Sequence, residues 1–80
     1  DMLNVKVLGG GCSNCKVTYS LIEKVARERG VDIALEKIED IQDIMAYDVM
    51  STPGVVIEET VVHRGGVPSR SQIEAWFSKD

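Results

Sequence analysis

Leu8-Gly9-Gly10-Gly11-Cys12-Ser13-Asn14-Cys15-Lys16 decides how the chain folds, because the hydrophobic period changes across it. Before it, Leu3, Val5 and Val7 alternate with Asn4 and Lys6, the two-residue period of a strand over Leu3–Leu8, with Leu8 itself out of step. After it, Val17, Leu21, Ile22, Val25 and Ala26 recur at spacings of three and four. That pattern predicts a helix from Ser13 to Arg29 with one buried stripe, and Gly30 stands where a C-cap belongs. The glycine triplet lets the chain turn sharply and leaves the Cys12 sulfur unshielded. Both cysteines therefore fall at a strand-to-helix junction.

Working outward, Ile33, Leu35 and Ile38 lie among Asp32, Glu36 and Lys37, which suits a strand exposed on one face or lying at a sheet edge. Asp40 and Asp43 precede Ile44, Met45 and Tyr47, so a short helix starts with acidic side chains near its positive end. Ser51-Thr52-Pro53-Gly54 stops it. The apolar run Gly54 to Ile57 reads as a strand covered on both faces, and Thr60 to Arg64 returns as its hairpin partner. Glu58-Glu59 lacks the glycine or asparagine of tight two-residue turns, so a looser turn is expected. After Gly65-Gly66, Ser69 and Gln72 form a capping-box pattern ahead of Ile73, Trp76 and Phe77, and a helix follows.

The order is βαβαββα. A right-handed crossover makes the first two strands parallel and the hairpin makes the last two antiparallel, giving an α/β fold with a four-stranded mixed sheet and helices on both faces. One domain over residues 1–80 is expected.

Residues three apart in a helical turn have Cα atoms about 5 to 6 Å apart, a span that a disulfide accepts. Cys12 at the helix N-terminus meets unpaired N–H groups and the positive dipole end, a setting that lowers cysteine pKa to roughly 3.5–7.5. Cys12 is the expected nucleophile. Cys15, one turn in, lies deeper and suits attack on the mixed disulfide that Cys12 forms. Closing so short a loop constrains the unfolded chain little, which argues against a purely structural bridge. Lys16 follows the pair and belongs to a solvated first turn. His63 has no cysteine near it in sequence and reads as structural or exposed rather than as a ligand, while Trp76 and Phe77 read as core.

The 80 residues carry 9 basic and 13 acidic side chains, a net charge of −4, with the basic ones scattered. That distribution argues against nucleic acid, and no run approaches the roughly 20 apolar residues that cross a bilayer. Two cysteines so close together do not make a secreted disulfide scaffold. The expected location is the cytoplasm.

Cys12-Ser13-Asn14-Cys15 after the first strand, Thr52-Pro53 opening the third and Gly65-Gly66 before the last helix resemble the thioredoxin and glutaredoxin superfamily. More narrowly, Gly10-Gly11-Cys12-x-x-Cys15-Lys16 is similar to small thioredoxin-like redox-active disulfide proteins. The resemblance implies a thioredoxin-like fold and a thiol–disulfide oxidoreductase that reduces disulfides of protein partners and is recharged by an upstream reductase. It implies a cis Pro53 beside the disulfide, with Thr52 offering its backbone to the partner, and substrate contacts at Gly11, Ser13, Asn14, Gly65 and Gly66. The Cys12–Cys15 couple carries the electrons, so no further cofactor and no metal are expected, and the protein is expected to be monomeric. Ser13-Asn14 departs from the Gly-Pro of thioredoxins and the Pro-Tyr of glutaredoxins, which leaves the direction of electron flow open. Glutathione is a weaker candidate partner, because Val67-Pro68 replace polar residues of its usual site. The rival reading is a copper- or zinc-binding Cys-x-x-Cys module. Such modules end in a strand, whereas this chain is read as ending in a capped helix.

Overall fold

In the computed structural model, which describes residues 2–78, the order is β1 (Leu3–Leu8), α1 (Ser13–Arg29), β2 (Ile33–Ile38), α2 (Ile41–Ala46), β3 (Gly54–Ile57), β4 (Thr60–Arg64) and α3 (Arg70–Phe77). The four strands form one mixed sheet, β2-β1-β3-β4. β1 pairs parallel with β2 from Leu3↔Ile33 to Leu8↔Ile38 and antiparallel with β3 from Val5↔Ile57 to Leu8↔Gly54. β2 is an edge strand with Glu36 and Lys37 exposed, and all of β3 is buried, as the polarity of each implies.

Val5, Val7, Val55 and Ile57 pack on one face against Ile22, Val25 and Ala26 of α1 and Ile73 and Phe77 of α3. Leu8 and Val56 point to the other face, where Ile44 of α2 and Val49 cover them. Each of these large side chains contributes roughly 1.5–3 kcal/mol by leaving water. Leu8 is thus not out of step. It shares the Asn4–Lys6 face by the two-residue period and is fully buried because α2 lies over that end of the strand.

The stripe of α1 also differs from its sequence reading. Val17 is 50% exposed, and the buried set is Cys15, Thr18, Ile22, Val25 and Ala26. Thr18 tolerates complete burial because its hydroxyl donates to the Asn14 carbonyl at 2.7 Å, so no polar group is stranded. Gly30 caps the helix in the left-handed conformation, φ 68°, and Asp40 caps α2 by accepting from the Gln42 N–H at 2.8 Å. The Ser69–Gln72 capping box is complete at the start of α3.

The β3–β4 turn is tight, with Ile57 paired to Thr60, and Glu58 and Glu59 take φ 50° and 67°. Two glutamates occupy a conformation that favours glycine or asparagine because contacts outside the hairpin hold them. The Glu58 carboxylate accepts from the Asn4 N–H at 2.7 Å while the Glu58 N–H donates to the Asn4 carbonyl at 3.0 Å. The Glu59 carboxylate accepts from Lys6 Nζ and from the Tyr47 hydroxyl, each at 3.0 Å. Tertiary partners therefore override the turn preference.

Hydrogen bonds from Lys6 and then Tyr47 hold the Glu59 carboxyl below its ordinary value of 4.5, and a hydrogen bond from Arg70 does the same for Glu28. A carboxyl whose folded pKa is depressed adds stability that is present above the unfolded pKa and lost as pH falls through the folded one. The urea midpoint is accordingly expected to hold from pH 7 to about 5 and to fall below about 4.5. Solvent screening keeps the effect modest. The double substitution Glu28→Gln/Glu59→Gln should flatten the decline, and an equally steep decline in that variant would remove these two groups as its cause.

Candidate redox site

Cys12 is the N-cap of α1, with φ −74° and ψ 153°, and stands exposed at the end of the glycine turn. Its Sγ accepts a hydrogen bond from the Cys15 N–H at 3.1 Å, so the first-turn donor that a helix leaves unpaired is aimed at sulfur. No acidic side chain lies in that first turn to oppose negative charge there. Cys15 is 3% exposed and packs beneath Cys12. The two sulfurs form a disulfide across a Cα–Cα distance of 5.1 Å. Opening that bond leaves an exposed thiol at a helix N-terminus, where a thiolate is favoured, beside a sheltered one. The pair can pass between dithiol and disulfide with little movement of the backbone.

Ser13 and Asn14 lie between the cysteines and are exposed, and the Asn14 carbonyl is engaged by Thr18. Gly11 is also exposed, with open space where a Cβ would be. Gly9 behaves differently. It is buried at φ 133°, and a Cβ built there would lie 2.6 Å from Cys15 Sγ and 3.0 Å from Thr52 Cβ. Thr52 and Cys15 are thus brought together across Gly9, a position that the sequence reading treated only as one of three turn glycines. The repeated glycine is a visible signal, but nothing in it distinguishes the position that touches sulfur.

The Thr52–Pro53 peptide bond is cis, Thr52 is exposed and Pro53 is buried. Gly65 joins this side of the site, because its N–H donates to the Pro53 carbonyl at 2.8 Å and a Cβ on it would lie 3.3 Å from Ser51 Cβ. Gly66, at φ 70°, faces open space, and its carbonyl is 3.0 Å from His63 Nε2. His63 is half-buried, and its ring lies 6.1 Å from that of Trp76. Phe77 is core and Trp76 is half-buried beside it. Lys16 is exposed on the rim of a shallow apolar groove floored by Val17 and Leu21. Among the described residues, no three histidine, cysteine or acidic side chains are grouped as a metal site would require.

A family model described as "Thioredoxin domain" matches residues 3–78. The chain belongs to the thioredoxin family. A thioredoxin of Methanocaldococcus jannaschii is 33% identical over 73 residues, which span 91% of this chain and 84% of that protein. A thioredoxin of Methanothermobacter thermautotrophicus is 26% identical over 77 residues, 96% of this chain and all 100% of the relative. Among solved structures, the germline-specific thioredoxin Deadhead of Drosophila melanogaster superposes with a TM-score of 0.66 at 20% identity, covering 95% of this chain and 78% of that one. Thioredoxin 1 of Thermosipho africanus gives 0.56 at 21% identity, covering 91% and 92%. These two likenesses establish the thioredoxin-like fold. Family membership together with the Cys12–Cys15 disulfide makes this thioredoxin-family chain a thiol–disulfide oxidoreductase. No described helix is long and apolar enough to cross a membrane.

Proposed function

We propose that the chain reduces disulfides of protein partners in the cytoplasm, as a monomeric single domain recharged by an upstream reductase. Cys12 attacks the partner disulfide and Cys15 resolves the mixed disulfide. The observation that carries this division of labour is the asymmetry of the pair: Cys12 is exposed with its sulfur on a backbone N–H, while Cys15 is 3% exposed. Attack on a disulfide needs a thiolate with access, and resolution needs only proximity to the first sulfur. The electrons reside in the cysteine pair, so the reading calls on no cofactor.

Thr52 and Pro53 are the proposed seat of the partner's backbone, flanked by Gly11, Ser13, Asn14, Gly65 and Gly66. Next to Thr52 runs an apolar groove of about 300 Å³ lined by Ile41, Ile44, Met45, Val49 and Met50. Ile41, Met45 and Met50 are 70%, 58% and 84% exposed. Apolar surface of that extent beside Thr52 favours a polypeptide with apolar side chains over glutathione, which is small and charged.

Turnover of a protein disulfide such as that of insulin is expected to exceed turnover of oxidised glutathione by about tenfold or more, the ratio that 1.4 kcal/mol of additional contact supplies. Equal turnover would remove the preference for protein. Electron donation further calls for a Cys12–Cys15 potential below about −220 mV, the least reducing end of the cytosolic glutathione poise, and a value above about −180 mV would reverse the role to oxidation.

A further inference from the structure

The three glycines before Cys12 are not equivalent. A Cβ on Gly10 would come no nearer than 3.9 Å to Glu39, and one on Gly11 would meet nothing within 4 Å. A Cβ on Gly9 would be wedged between Cys15 Sγ at 2.6 Å and the Thr52 side chain, whose Cβ and Cγ2 would be 3.0 and 3.3 Å away. The Gly9 N–H is tied to the Ile38 carbonyl at 2.9 Å, so the backbone that floors the sulfur is anchored to β2. Cys15 Sγ therefore lies against Gly9, only 2.6 Å from where any side chain at position 9 would begin.

When the disulfide opens, its two sulfurs must part to non-bonded distance, and Cys15 Sγ needs somewhere to go. Cys12 is bonded to it on one side, and beside it the missing Cβ of Gly9 leaves room. We infer that Gly9 is the positioning residue of the resolving step: its absent side chain forms the slot in which the Cys15 sulfur waits while Cys12 is bonded to the partner, and from which it attacks. The inference rests on Cys15 being the resolving thiol.

In the first step the Cys12 thiolate bonds to one partner sulfur, the partner S–S bond breaks, and the other partner sulfur leaves with the electron pair as a thiolate. In the second, Cys15 releases its proton to water and its thiolate bonds to Cys12 Sγ. The bond from Cys12 to the partner breaks, and the second partner sulfur leaves as a thiolate. Two electrons have then passed from the cysteine pair to the partner. Only the second step uses the slot, so filling it should slow that step alone.

The test is Gly9→Ala, reduced and mixed in stopped flow with one equivalent of a bis(nitrobenzoate) disulfide, which releases one coloured thiolate per step. The first release is expected to match wild type. The second should slow by about tenfold or more, with the Cys12 mixed disulfide visible by mass. Alanine at φ 133° also carries backbone strain, so Gly30→Ala is the control: Gly30 has φ 68° and nothing within 4 Å, and its second release should be unchanged. An unslowed second release in Gly9→Ala, or equal slowing of both releases, overturns the role of Gly9. Cys15→Ser separates the underlying reading, because two prompt releases from that variant would overturn Cys15 as resolving thiol and the slot with it. Should Gly9→Ala fail to fold, the unmodified protein answers by NMR. A nuclear Overhauser effect between Gly9 Hα and Cys15 Hβ is expected to persist in the dithiol form, and its loss on reduction overturns the proposal.

Discussion

Cys12→Ser is expected to abolish disulfide reduction, a loss on the order of a thousandfold or more of the kind that follows removal of an enzymatic nucleophile. Serine cannot form the mixed disulfide, and the thiol that remains, Cys15, is 3% exposed and cannot reach a partner. Folding should survive, because Cys12 is an exposed N-cap and serine is a favoured residue there. The cap hydrogen bond from the Cys15 N–H can pass to the serine oxygen. The measurement is turnover of a protein disulfide with dithiothreitol as donor, alongside circular dichroism. Substantial turnover in a folded Cys12→Ser protein would show that the attacking sulfur had been misassigned.

The second large effect separates the two thiols. Cys15→Ser keeps the exposed sulfur at the helix N-terminus, so its single-turnover attack on a disulfide should stay within a few-fold of wild type. The mixed disulfide then has no internal thiol to resolve it, and steady-state turnover is expected to fall by on the order of a hundredfold. Partner adducts on Cys12 should accumulate and disappear on addition of reductant. The reverse pattern, with adducts on Cys15 in Cys12→Ser and none in Cys15→Ser, would exchange the two roles.

The element order was legible in the sequence because each element carries its own period and its own punctuation. Leu3–Leu8 alternates, the helix after Cys12 ends at a glycine that does adopt a left-handed cap, and the Ser69–Gln72 box opens α3 where it should. The cysteine pair was legible for the same local reason. Two cysteines three residues apart at a strand-to-helix junction are brought together by one turn of helix, with no need of distant contacts.

Three details required the packed chain. Leu8 looks misplaced in a two-faced strand until α2 is seen to cover the far end of the second face. Val17 fits a helical stripe by spacing, yet the rotation of α1 is set by what the sheet accepts, and Thr18 takes the inward place with its hydroxyl satisfied within the helix. The Glu58-Glu59 turn is tight against local preference because Asn4, Lys6 and Tyr47, which are remote in sequence, hold both carboxylates.

Periodicity was enough to give the element order, and the spacing of Cys12 and Cys15 was enough to bring two thiols together, since both depend on interactions within a few residues along the chain. The thioredoxin-like fold and the redox chemistry were implied by the resemblance that Cys12-x-x-Cys15, Thr52-Pro53 and Gly65-Gly66 carry. Which glycine lies under the sulfur, and that Thr52 closes over the same spot, depended on where β1, α1 and the segment before β3 converge. A side chain's freedom there is limited by atoms that neighbour it only after folding, and no pattern along the chain records such distances.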